Sequence, residues 1–101
     1  MAVHRFVARF TMSTKEGTWE RAKAIEDEEK AYILAAYESG GAIALGRFAD
    51  PTQGALGIFA SKEAADAFVK DDPFAREGIL DSCVIHEFNE VMSAPEPAAA
   101  N

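Results

Sequence analysis

"AIALGRFADPTQGALGIFA", residues 42–60, is the stretch on which the architecture turns. Two short apolar runs, 42–48 and 55–60, flank "ADPTQG", where Asp50, Pro51 and Gly54 are turn signals. Apolar runs of this length, so punctuated, read as two strands joined in a hairpin. Just after them, Ser61 is placed to cap a helix over residues 62–70, with Ala64, Ala65, Phe68 and Val69 facing inward. Just before them, Gly40 and Gly41 close a helix predicted over 19–39, with Thr18 as its N-cap.

The outermost segments are also extended. Residues 3–12, "VHRFVARFTM", alternate strictly. His4, Phe6, Ala8, Phe10 and Met12 share one face; Val3, Arg5, Val7, Arg9 and Thr11 share the other. Residues 82–91, "SCVIHEFNEV", read as a fourth strand, and "DDPFAREG" before them as a turn or short helical segment. The order is β-α-β-β-α-β. That is an α+β, ferredoxin-like arrangement: an antiparallel four-stranded sheet with both helices on one face. The uncovered face, carrying Arg5 and Arg9, is the expected seat of a second chain, giving a homodimer.

With 101 residues, the chain is expected to hold one domain over 1–92 and a loose tail over 93–101, where "SAPEPAAAN" has no period. A net charge of -7 argues against general nucleic-acid binding and against docking to an anionic membrane. One cysteine, Cys83, makes no internal disulfide. No apolar run nears the roughly 20 residues a membrane helix needs. "MAVHRFVARF" alternates where a signal peptide would be continuously apolar, so a cytoplasmic protein is expected.

Several residues stand out for chemistry. Ala22, Ile25, Glu29, Tyr32 and Ala36 form one helical stripe, and Glu29 is a carboxylate among apolar neighbours. A buried carboxylate must neutralise or find a partner. Asp72, followed by Pro73, fits a helix N-cap, which holds a carboxylate rigidly. If Glu29 and Asp72 share a site, one pKa rises and the pair can hold a proton at neutral pH. Asp72 would be the base and Glu29 the acid. The rolled-helix reading, with Glu29 reaching water, stands beside it. His4 and His86 can both face the helices, as pocket residues or as satisfied core histidines. Arg9 and Arg47 could hold an anionic group, or form surface ion pairs. Tyr32 and Phe74 could wall an aromatic pocket, or simply pack. No metal-ligand spacing and no phosphate loop is present, and no cofactor is expected.

The run "YESGG", "LGRFAD" and "QGALGIFASKEAADAFVKDDPFAREGI" resembles the YCII-related family of small ferredoxin-like proteins over about residues 29–88. Asp72-Pro73-Phe74 after an alanine-rich helix is its most specific part. The resemblance implies a dimeric α+β barrel and an active site built on Asp72 with a histidine from the first helix. Here Glu29 stands where that histidine is expected. Family members are linked to small-molecule chemistry, including a dehydrochlorinase of a hydroxylated aromatic ring. The expected function is cofactor-free proton transfer, as elimination or isomerisation, on a small cyclic or aromatic compound. A non-catalytic small-molecule-binding or accessory subunit is the alternative. A cofactor-free monooxygenase is a third reading, which oxygen consumption would reveal.

Overall fold

The turn at residues 50–54 closes because its side chains satisfy its own backbone. In the computed structural model, Asp50 accepts hydrogen bonds from Thr52 N (2.9 Å) and Thr52 Oγ1 (2.7 Å), and Pro51–Gln53 form one 3-10 turn. The hairpin so made joins β2 (Ala42–Arg47) to β3 (Ala55–Phe59). The structure describes residues 3–92; the expected tail over 93–101 lies outside them.

The full order is β1 (Val3–Met12), α1 (Thr18–Ala24), α2 (Glu26–Glu38), β2, β3, α3 (Lys62–Asp71), α4 (Pro73–Arg76) and β4 (Leu80–Glu90). The sheet order is β2-β3-β1-β4 and every neighbour is antiparallel. With the helices on one face, this is the ferredoxin-like α+β fold expected from the element order. β1 and β4 pair from Val3↔Glu90 to Met12↔Leu80, with one irregularity between Thr11 and Met12.

Three expectations need correction. The helix predicted over 19–39 is two helices, because the chain leaves helical geometry at Ile25 (φ -114°, ψ 19°). Thr18 is the first helical residue; Gly17 is the N-cap, and the Thr18 hydroxyl donates to Lys15 O (2.7 Å). β4 begins at Leu80, ahead of the predicted residue 82; the helical segment expected within "DDPFAREG" is α4.

The core lies between the sheet and α2–α3. Ala8, Phe10, Ala42, Phe59, Ala65 and Phe68 form its buried centre. Phe68 sits among three rings: Tyr32 at 4.9 Å, Phe59 at 5.3 Å and Phe10 at 5.9 Å between centroids. Ser61 caps α3 as expected, accepting from Ala64 N at 3.1 Å. The cross-strand pairs Arg5↔Phe88, Val7↔His86 and Arg9↔Val84 put those six side chains on the uncovered face. Among the described residues, no helix is long and apolar enough to cross a membrane.

Candidate functional site

Where α3 ends, the chain turns at Asp72 and starts α4 at once. Asp72 is extended (φ -59°, ψ 121°), and its side chain caps α4 by accepting from Phe74 N at 3.1 Å. Pro73 takes the first helical position, where a missing N–H costs nothing. The same Phe74 N–H is shared with Glu29 Oε1, at 3.3 Å. Two carboxylates from distant parts of the chain therefore converge on one backbone donor. Both are buried: Glu29 is 8% exposed and Asp72 2%.

The break at Ile25 matters here. It makes Glu29 part of the first turn of α2, together with Glu26, Asp27 and Glu28. Glu28 also reaches across to Arg76 Nη2 at 2.6 Å, which fastens α4 against α2 beside the pair.

Burial, first, and then hydrogen bonding and charge repulsion from Asp72 push the Glu29 carboxyl up to about 8; the Phe74 N–H works against this. Glu29 is thus protonated at neutral pH, beside a second carboxylate. The surroundings carry the same negative potential. Burial and then the charges of Asp71, Asp72 and Glu29 push the Tyr32 hydroxyl up to about 12. That hydroxyl donates to Phe68 O at 2.7 Å, near the end of α3. Burial and then Asp72 push the Cys83 thiol up to about 11, so it stays a thiol and is a poor nucleophile.

The structure thus brings Glu29, Asp72, Phe74 and Tyr32 together. His86 does not join them. It is exposed and shares the uncovered face with Val7, a correction to the helix-facing position expected for it. His4 is on the helix side, but exposed and bound to Glu87 at 3.0 Å. It lies six residues, about 20 Å, along β1 from Phe10, which pairs with Cys83. Arg9 is on the uncovered face, its guanidinium 5.7 Å from the centre of the Phe48 ring. Arg47 is exposed at the end of edge strand β2. Sequence reading missed the Phe74 N–H as the common donor, and Cys83 as a neighbour of Asp72. Among the described residues, no group of three His, Cys, Asp or Glu side chains is arranged to hold a metal.

Two cavities are found among the described residues, and neither carboxylate lines them. One, of about 300 Å³, lies by Ala44, Arg47, Phe48 and Leu56 at the β2–β3 edge. The other is a groove of about 340 Å³ between α2 and α3. Tyr32 lines that groove and also feels both carboxylates, so it is the side chain that groove and pair share.

No family model matches the chain, and no curated protein matches it. Solved structures do resemble it in fold. The 5-chloro-2-hydroxyhydroquinone dehydrochlorinase of Burkholderia phenoliruptrix, in complex with 2,5-dihydroxybenzoquinone, superposes with a TM-score of 0.62 at 16% identity. That match covers 84% of this chain and 92% of that one. A Pseudomonas aeruginosa protein, PA3566, gives 0.56 at 16% identity, over 91% and 97% of the two chains. The heme degrader MhuD of Mycobacterium tuberculosis gives 0.48 at 15% identity, over 91% and 99%. The first two share the fold of this chain, that of small ferredoxin-like α+β proteins.

Proposed function

We propose that this chain is a YCII-related enzyme that moves protons on a small cyclic or aromatic compound without a cofactor. The observation that carries this reading is the buried Glu29–Asp72 pair on the Phe74 N–H, with Glu29 holding a proton up to about pH 8. An acid and a base fixed side by side, near the operating pH, are what general acid–base chemistry needs. Asp72 takes a proton from a ring hydroxyl while Glu29 gives one to a ring carbon; the net result is an isomerisation. Where that carbon bears a halide, the halide leaves with its bonding electrons as a second hydroxyl passes its proton to the now-ionised Glu29, and Asp72 releases the first proton to solvent. The net change is then loss of the hydrogen halide. The dehydrochlorinase among the structural neighbours supports this choice of substrate class through shared fold.

The test is chloride release, or the ultraviolet change of ring isomerisation, with chlorinated hydroxyhydroquinones. Glu29→Gln and Asp72→Asn should each lower turnover at least ~100-fold, the ordinary worth of a positioned acid or base. Activity should fall as the pH rises through about 8, where Glu29 loses its proton. Wild-type turnover in both variants removes the reading.

One observation favours a second, non-catalytic reading: both carboxylates are nearly closed to solvent, and neither lines either of the two cavities described. In that reading the pair is a clasp between α2 and α4, in a binding or accessory subunit. A folded protein that binds hydroxylated rings but turns none over is its signature.

The proposal includes a homodimer through the uncovered sheet face. Val84 (48% exposed) and Phe88 (51%) lie there beside Val7, around an Arg5–Glu90 ion pair at 3.3 Å. Exposed large apolar side chains interleaved with charged ones suit an association surface. Val84→Glu should convert a dimer into a folded monomer in light scattering at micromolar concentration. A monomeric wild type overturns the dimer.

A further inference from the structure

The groove between α2 and α3 exists because the facing positions are small. Ala35 and Ala36 on α2 oppose Ala64 and Ala67 on α3, while Phe59 and Phe68 also line it. Larger side chains at those four positions would fill it. Its volume, about 340 Å³, is of the size that takes small ligands. A dry cavity of about 150 Å³ already holds a benzene ring, so this groove has room for a ring and a short chain.

Its charge lies at one end; Ser39, at the other end, spends its hydroxyl proton on Ala36 O. Asp71 is the only formally charged residue in the lining, and no described lysine or arginine forms an ion pair with it. It is the last residue of α3, where the helix dipole is negative. The Tyr32 hydroxyl is at the same end and spends its proton on Phe68 O, so it has only acceptor capacity left for a ligand. Asp72 lies behind it and adds to the same field. The aromatic rings in the lining also favour a cation.

We infer that this groove is a binding site for a small aromatic ammonium ion, with the ring between the alanines and the ammonium at Asp71 and Tyr32. An anion meets repulsion at that end, and a neutral alcohol loses the charge pairing. The inference concerns binding alone and does not depend on the Glu29–Asp72 pair turning over any substrate.

The probe is 2-phenylethylammonium, with 2-phenylethanol and 3-phenylpropanoate as neutral and anionic counterparts. Each is titrated into the full chain labelled at its alanine methyls. The ammonium should shift the Ala35, Ala64 and Ala67 methyls, and bind about tenfold tighter than the alcohol, as one partly solvated charge pair allows. The carboxylate should bind weakest. Asp71→Asn should bring the ammonium to the level of the alcohol. Ala67→Leu, at an exposed helix position, should abolish binding of both. If Ala67→Leu does not fold, Ala35→Leu fills the groove from the facing helix with the same expectation. Glu29→Gln should keep the binding even where it ends turnover, which separates this site from the proposed chemistry. Equal affinity for ammonium and alcohol, an Asp71→Asn variant that binds like wild type, or shifts confined to other methyls would each overturn the site.

Discussion

Gly54→Ala is expected to be among the most damaging single substitutions in the chain. Gly54 has φ 82° and ψ -140°, a region that side-chain-bearing residues avoid. A Cβ there would lie 1.9 Å from the backbone oxygen of Phe10 and 3.0 Å from its carbonyl carbon. Neither atom can step aside, because Phe10 is held in the sheet by Ala55 on one side and Cys83 on the other. Backbone strain and forced overpacking together cost roughly 3–5 kcal/mol. For a domain of this size that lowers the midpoint of thermal unfolding by on the order of 15–30 °C. Gly40→Ala is the control. Its φ is also positive, at 87°, but no atom lies within 4 Å of the added Cβ. That change should cost only about 1–2 kcal/mol. Equal losses in the two variants would show that conformation, and not the close approach to β1, sets the effect at Gly54.

The contact at Gly54 has a consequence for the site. It sets the hairpin of β2 and β3 against Phe10, and Phe10 packs edge-on to Phe68. Phe68 supplies the carbonyl that anchors Tyr32, and α3 delivers Asp72 to its place. The turn that is plainest in the sequence therefore holds the core on which the carboxylate pair stands.

Features carried by local chemistry could be read directly. The Asp50-Pro51 turn, the Ser61 and Asp72 caps and the alternation of β1 each depend on residues within a few positions, and each stands as read. The break at Ile25 was less legible, since neither proline nor glycine marks it. The available signal was the run Glu26–Glu29, four acids in a row, which favours a fresh helix N-terminus. The side of the sheet to which His86 points depends on how β4 pairs with β1. A strand read one residue out of register reverses every side chain. The shared Phe74 N–H had no sequence signal at all, because every residue except proline carries one. Glu29 and Asp72 were both legible as candidates; only the packing of α4 on α2 brings them to the same donor.

The pH dependence of stability offers a direct reading of that shared site. Glu29 titrates near its ordinary value of 4.5 when unfolded and at about 8 when folded. The folded protein therefore binds more protons between those values, and stability falls as the pH rises through the window. The contribution is fully present below about 4.5 and is lost once the pH has passed about 8. Glutamine has the shape of the protonated acid and cannot ionise. Glu29→Gln should match wild type at pH 5. By pH 9 it should be the more stable of the two, by on the order of 2 kcal/mol after allowing for water near the pair. Denaturant unfolding at both pH values measures the difference. Asp72→Asn tests the coupling from the other side, because it removes the hydrogen bond and charge repulsion that raise Glu29 but leaves it buried. The Glu29 side-chain carbon should then titrate below 8 and still above 4.5 in carbon NMR. A parallel pH dependence of wild type and Glu29→Gln, or a Glu29 midpoint indifferent to Asp72→Asn, would mean that the two carboxyls do not share a proton. The acid–base role assigned to them would fall with it.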